Sequence, residues 1–271
     1  MKERDEKITM VTAYDYPGAL LAEKAGIEML LVGDSLGMVV MGYSNPVPVT
    51  VDDIIYHTKA VTRAAKRAFV VADMPFMSYR INKEQTLRNA SRLIQEGGAD
   101  AVKLEGGRDV APIVKEIVGA GIPVQAHIGL MPQRASLGDT FKVQGKDAQS
   151  AESIIEDAFS LEKAGAFSVV LEFVTAEASR MITQELEIPT IGIGSGVDCD
   201  GQVLILHDIL GVYEESPPFA KQYTNLNREI VNSLTEFRND VKASKFPSEE
   251  YTVNMEKSEA EKLLEKINAG Y

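Results

Sequence analysis

One unit recurs along the chain: a stretch of helical periodicity closes on a small residue and a glycine, and a short apolar run ending in a polar group follows. Ala25-Gly26 leads to Met29 through Asp34, Gly97-Gly98-Ala99 to Ala101 through Glu105, Ala120-Gly121 to Val124 through His127, and Ala164-Gly165 to Ser168 through Glu172. Glycine suits a left-handed helix cap, after which a short connection enters a strand. Apolar positions between these runs keep helical spacing, as in Ile54, Thr58, Val61 and Ala65, in Leu87, Ala90 and Ile94, and in Ala151, Ile154, Ala158 and Leu161. Thr50, Asn82 and Asp147 stand where N-caps belong.

The pattern predicts strands over 8–12, 28–33, 69–73, 100–105, 123–127, 167–172, 189–194 and 203–207. Eight strands alternating with helices favour an α/β fold of the closed (βα)₈ TIM-barrel type, with an open doubly wound sheet as the alternative. A further helix over 228–241 carries Ile230, Leu234, Phe237 and Val241 on one face and could close the barrel. The expected organisation is a catalytic barrel over 1–245 and a charged extension over 246–271. There Ser258 and Glu261 form a candidate capping box before Leu263, Leu264 and Ile267. That segment reads either as a short helix decorating the barrel or a neighbouring subunit, or as a solvated tail.

Composition narrows the function classes. A chain of 271 residues with 45% hydrophobic and 25% charged residues can build a sizeable core as one domain. Its net charge of −12 and lack of a long basic run argue against nucleic acid as a partner. A single cysteine, Cys199, offers neither a disulfide framework nor a cysteine metal cluster. No signal-peptide core follows Met1–Lys7 and no 18-residue apolar stretch occurs, so the expectation is a cytoplasmic protein without a membrane partner.

In a (βα)₈ barrel the reactive groups sit at the C-terminal ends of the strands. Those ends read Gly33-Asp34-Ser35, Ala72-Asp73, Lys103-Leu104-Glu105, Ala126-His127 and Leu171-Glu172. Neighbouring strands lie about 4.8 Å apart, so the carboxylates of Asp34, Asp73 and Glu105 can converge on one cation. Oxygen donors without thiolates suit Mg²⁺ before Mn²⁺ or Zn²⁺. Lys103 shares the inward face with Glu105, where it could serve that carboxylate or an anionic substrate. His127 is a candidate neutral donor to a substrate oxygen, and Glu172 a candidate general base if its surroundings raise its pKa. Each has a bland account: strand-end aspartates cap helices, Lys103 with Glu105 could be an internal ion pair, and His127 could be a core hydrogen-bonding group. Five such residues on five consecutive strand ends favour a site. Gly192-Ile193-Gly194-Ser195-Gly196 is equally a phosphate-binding loop or a tight turn.

These residues carry a resemblance. The runs Thr12-Ala13-Tyr14-Asp15, Leu31 through Met38, Pro48-Val49-Thr50, Ala72 through Phe76, Val102 through Gly107, His127 through Leu130 with Pro132-Gln133, Lys142 through Gly145, Leu171-Glu172, Ile191 through Gly194 and Asp200 through Asp208 resemble ketopantoate hydroxymethyltransferases over about residues 8–220. The resemblance implies a barrel of the phosphoenolpyruvate/pyruvate superfamily type, assembled as a homodecamer. It implies transfer of a one-carbon unit from 5,10-methylenetetrahydrofolate to 3-methyl-2-oxobutanoate, giving 2-dehydropantoate for pantothenate synthesis. Asp34, Asp73 and Glu105 match the family's Mg²⁺-site carboxylates, with one ion per subunit. Asp34, Ser35, Asp73, Lys103 and His127 match its substrate contacts, and Glu172 its catalytic base. Asp139-Thr140 stands where the family commonly has a glycine pair, and the stretch before the first strand is short for the family. Two alternatives remain at this point: a Mg²⁺-dependent 2-oxo-acid lyase or mutase of the same superfamily, and a non-catalytic barrel that binds a 2-oxo acid.

Overall fold

The computed structural model describes residues 1–135 and 142–270, so Asp139-Thr140 lies outside the described residues. Eight parallel strands, β1 (Ile8–Thr12), β2 (Met29–Val32), β3 (Phe69–Asp73), β4 (Ala101–Glu105), β5 (Val124–Gly129), β6 (Ser168–Glu172), β7 (Thr190–Ile193) and β8 (Gly201–Leu204), follow one another in chain order. They form a closed barrel, with β8 pairing to both β7 and β1. The predicted TIM barrel is therefore the observed architecture.

β8 ends earlier than the apolar run predicts. The Ile205 carbonyl accepts the N–H groups of Asp208 and Ile209, which starts a short helix and takes His207 off the sheet. The helices are α1 (Tyr16–Ala25), α2 (Leu36–Val39), α3 (Val51–Ala64), α4 (Lys83–Gln95), α5 (Ala111–Gly119), α6 (Pro132–Ala135), α7 (Ala148–Lys163), α8 (Ala176–Glu185), α9 (Leu206–Leu210), α10 (Leu226–Lys242) and α11 (Lys257–Asn268). Gly26 closes α1 at φ 83°, a left-handed conformation that only glycine adopts without strain, and the chain then enters β2 within two residues.

All three expected caps form. Thr50, Asn82 and Asp147 accept from the backbone N–H three residues on, at 3.2, 2.8 and 2.9 Å. The Thr50 cap is reciprocal, because Asp53 accepts in turn from the Thr50 N–H. Thr50→Ala is expected to cost about 1 kcal/mol, read as a lower urea midpoint with unchanged slope.

Packing forms two layers. Outward strand residues such as Val102, Leu104, Val169 and Leu171 meet the inner faces of the helices, including Ile54, Leu93, Ile117 and Leu161. Inside the barrel, Met10, Met29, Leu31, Val71, Ala101, Val170, Ile191 and Val203 fill the interior. Register places Asp73 beside Lys103 across β3 and β4, and Glu105 beside His127 across β4 and β5. The short N-terminal stretch is tied down by Lys2, whose Nζ lies 2.8 Å from Asp200 Oδ2 and 2.9 Å from the Thr183 carbonyl.

The chain divides into a unit Met1–Tyr223 that contains the barrel and a second unit Thr224–Tyr271. In the second unit α10 is capped by Asn225, and the Phe246 ring meets Phe237 edge-to-face and Tyr251 at a tilt. The candidate capping box at Ser258 does not form. Glu256 already accepts from Glu259 and Ala260 N–H groups, so Ser258 falls inside the first turn of α11 and cannot cap it.

Candidate active site

A cavity of about 420 Å³ opens at the C-terminal end of the barrel, and Asp34, Ser35, Asp73, Lys103, Glu105, His127 and Glu172 all line it. The seven residues singled out from the sequence thus meet in one place. Because β4 residues alternate faces, Lys103 and Glu105 project into the barrel while Val102 and Leu104 pack outward.

Lys103 Nζ lies 2.5 Å from Asp73 Oδ1, with both side chains almost fully buried. The Asp34 N–H donates to Asp73 Oδ2 at 3.0 Å. Between the other two carboxylates lies Gln133 of α6. Its side-chain amide donates to Asp34 Oδ2 at 2.8 Å, and its backbone N–H donates to Glu105 Oε2 at 3.1 Å. The Tyr79 hydroxyl, 2.9 Å from Gln133 Oε1, holds that amide in place. The three-carboxylate convergence expected from strand spacing is therefore not seen directly. Among the described residues no group of three His, Cys, Asp or Glu side chains gathers as a ready metal cage. The reason is local: Lys103 claims one oxygen of Asp73, and Gln133 bridges Asp34 and Glu105.

Electrostatics nevertheless fit a cation. Burial, and then the charge of Asp73, push the Asp34 carboxyl up to about 7. Burial and the charge of Asp34 hold Glu105 well above its ordinary value. Burial would lower the Lys103 ammonium, but Asp73, Glu105 and Asp34 together outweigh it and hold it above its usual value. One lysine cannot neutralise three buried carboxyls. A hard divalent ion that takes one or two carboxylates and completes its shell with water or substrate oxygens suits this donor set.

The sequence alone gives Gln133 no role beyond its place in the Pro132-Gln133 run that carries the resemblance. Nothing in residue type marks an amide on a short helix as a bridge between carboxylates. Gln133→Ala is expected to weaken divalent-metal affinity about 10- to 100-fold, as removal of groups that orient metal ligands does. Calorimetric titration with Mg²⁺ and Mn²⁺ reads this, and an unchanged affinity would leave Gln133 with a packing role only.

Further round the cavity, burial and then the Lys103 charge lower His127 to about 3, so its imidazole is neutral. Nε2 lies 2.8 Å from the Leu130 carbonyl, which can only accept, so Nε2 carries the proton and Nδ1 is a buried acceptor without a partner. The donor role expected of His127 is thus already committed to the backbone, and Nδ1 is left to receive a hydrogen bond. Glu172 Oε2 lies 3.4 Å from Nε2, which is no ion pair because the ring is uncharged. Burial pushes the Glu172 carboxyl up to about 8; Lys103 pulls it down, while Asp34 and Asp73 push it up. On the opposite side, Ser35 Oγ lies 2.8 Å from the Tyr14 hydroxyl.

The glycine-rich loop after β7 turns back onto the neighbouring strand. Ser195 Oγ donates to the Leu171 carbonyl at 2.7 Å and accepts from the Val174 N–H at 3.0 Å, tying the loop to the end of β6. His57 makes a structural contact, its Nδ1 2.5 Å from the Tyr14 carbonyl. Cys199 is buried and free, and among the described residues no helix is long and apolar enough to cross a membrane.

A buried acidic centre with one lysine, one neutral histidine and one carboxyl raised toward neutrality, at the C-terminal rim of a parallel barrel, defines a (βα)₈-barrel enzyme of the acid–base type. The sequence profile of ketopantoate hydroxymethyltransferases matches residues 1–249. The 3-methyl-2-oxobutanoate hydroxymethyltransferase of Moorella thermoacetica is 56% identical over 253 residues, covering 93% of this chain and 94% of the relative. That of Pyrococcus furiosus is 56% identical, covering 91% of this chain and 87% of the relative. The chain belongs to the ketopantoate hydroxymethyltransferase family. Among solved structures, 2,3-dimethylmalate lyase, a PEP mutase/isocitrate lyase superfamily member, shares the fold at TM-score 0.60 and 17% identity, covering 93% of this chain and 88% of that one. Phosphonopyruvate hydrolase, solved with oxalate and Mg²⁺, does so at TM-score 0.60 and 11% identity, covering 99% and 95%.

Proposed function

We propose that this chain transfers a hydroxymethyl group from 5,10-methylenetetrahydrofolate to 3-methyl-2-oxobutanoate, forming 2-dehydropantoate in pantothenate synthesis. The observation that carries the reading is Glu172: a carboxyl pushed up to about 8 by burial, in one cavity with Lys103 and the acidic centre. A base with a pKa near the working pH suits abstraction of a weakly acidic C–H proton.

In this reading Lys103 and Ser35 receive the substrate carboxylate, and the buried Lys103 ammonium offsets its charge at the floor of the cavity. A divalent cation, Mg²⁺, held by Asp34, Asp73 and Glu105, one or two of them directly and the rest through water, would withdraw electron density from the keto group and so acidify the neighbouring C–H. Glu172 takes the proton from C3. Water adds to the methylene carbon of the donor and releases it as formaldehyde, leaving tetrahydrofolate. The carbanion equivalent attacks that carbon, whose oxygen takes the proton held by Glu172 and becomes the product hydroxyl, between walls formed by Leu130, Ile193 and Val203. His127 Nδ1 is the acceptor free to receive the hydroxyl of the product. A homodecameric, cytoplasmic enzyme belongs to the same reading.

The test is a folate-dependent assay of 2-dehydropantoate formation with Mg²⁺ and after exhaustive chelation. Product is expected only with both donor and metal, and metal-independent formation would remove the cation from the mechanism. Carbon–carbon or carbon–phosphorus cleavage of a 2-oxo acid without folate would favour a lyase or mutase instead.

A further inference from the structure

The cavity is larger than its polar floor needs. A five-carbon oxo acid occupies only the part between Lys103 and Glu172, while the mouth is walled by Met38, Pro46, Phe173, Pro217 and Phe219. Two features of that mouth are built with unusual care. Phe173, next in sequence to Glu172, sits at φ 53°, a left-handed conformation that a bulky side chain avoids. Its N–H donates to the Ile193 carbonyl at 2.8 Å and its carbonyl accepts from the Gln144 N–H at 2.8 Å, so the backbone is locked in that state. The ring lies 5.5 Å from Phe219 at 51°. Phe219 in turn rests on Gly194, where a Cβ would come within 2.9 Å of its ring. The strain at Phe173 and the missing side chain at position 194 both serve to set two aromatic rings at the entrance above the base.

The second feature is Asp208, in the first turn of α9. It is 8% exposed, lines the same cavity, and its carboxylate makes no hydrogen bond or ion pair among the described residues. Burial alone raises its pKa. The carboxyl oxygens keep access to the cavity, where a ligand carrying hydrogen-bond donors can meet them.

We propose that the mouth of the cavity is the subsite for the heterocycle of the one-carbon donor, with Phe173 and Phe219 as its aromatic wall and the Asp208 carboxylate accepting the paired N–H donors on the ring edge. This rests on the reading of the donor as a reduced folate. The pyrimidine edge of a pterin presents a ring N–H beside an exocyclic amino group, a donor–donor pair that matches the two oxygens of one carboxylate in a bidentate contact. Its faces are apolar and flat, as the Phe173 and Phe219 rings require. Because Phe173 adjoins Glu172, a ring seated against it brings the methylene carbon over the proton-abstracting group.

The full-length protein with Mg²⁺ is used for the test, with Asp208→Asn, Phe219→Ala and Phe219→Tyr. The KM for 5,10-methylenetetrahydrofolate is measured beside C3 proton exchange of 3-methyl-2-oxobutanoate in D₂O without donor. Asp208→Asn and Phe219→Ala are each expected to raise the donor KM about tenfold or more, the loss of one charge-assisted or stacking contact, while exchange persists. Phe219→Tyr, which keeps the ring, is expected to restore the parental donor KM. A donor KM within twofold of the parent in both Asp208→Asn and Phe219→Ala overturns the subsite. Loss of exchange in Asp208→Asn also overturns it, because Asp208 would then serve the oxo-acid half. Absence of exchange in the parent protein fails the proposed function itself, an outcome separate from either of these.

Discussion

Glu172→Gln is expected to lower C3 proton exchange of 3-methyl-2-oxobutanoate by about 10³-fold, within the range that a positioned base contributes. Glutamine keeps the size and planarity of the group but cannot accept the proton. The substitution also removes little charge near neutrality, because burial already pushes the carboxyl up to about 8. Binding of metal and oxo acid is therefore expected to survive. Stability carries an independent sign. A carboxyl whose folded pKa is raised binds more protons in the native than in the unfolded state, so it costs stability as pH rises from its unfolded value near 4.5 toward 8. Glu172→Gln removes that cost. Its urea midpoint is expected to match the parent in mild acid and to exceed it progressively toward pH 8. Proton NMR in D₂O reads the exchange; undiminished exchange would remove Glu172 as the base.

The barrel was legible because its signals are local. Gly26, Gly98, Gly121 and Gly165 follow helices, and Thr50, Asn82 and Asp147 precede them, so cap chemistry alone marks the repeat. The site was legible because a barrel brings strand ends to one rim, which makes Asp34, Asp73, Glu105, His127 and Glu172 neighbours whatever their separation in the chain. What escaped depends on partners rather than on position. That Gln133 bridges Asp34 and Glu105, and that the His127 proton is spent on Leu130, are facts of hydrogen-bond pairing over contacts set by α6 and by the turn after β5. β8 was misplaced for a similar reason. Val203 through His207 is an apolar run ending in a polar group, as the other strands are, but the Ile205 carbonyl is taken up by the start of α9.

Lys103→Met is expected to destabilise the fold by about 3–5 kcal/mol, the cost of leaving a buried charge without its partner. The methionine matches the stem of the lysine, so the loss is electrostatic and not a cavity. Asp73 loses its 2.5 Å contact, and Asp34 and Glu105 lose the one nearby positive charge that favours their ionised forms. Their response limits the damage: both already tend toward the neutral form, so part of the cost is absorbed by proton uptake. That makes the destabilisation larger at pH 8 than at pH 6. Adding Asp73→Asn to Lys103→Met removes the orphaned charge as well, and the double variant is expected to regain most of the lost stability, since neutral replacements of a buried pair are often tolerated. Function should not follow. The oxo acid needs the ammonium opposite its carboxylate, so its affinity is expected to remain at least tenfold weaker in the double variant, one charge-assisted hydrogen bond. Urea midpoints at the two pH values and a calorimetric titration with 3-methyl-2-oxobutanoate separate these terms. Equal midpoints for parent and Lys103→Met would mean that Lys103 and Asp73 do not form an ion pair in the native state, and a double variant that binds the oxo acid as tightly as the parent would take Lys103 out of substrate recognition.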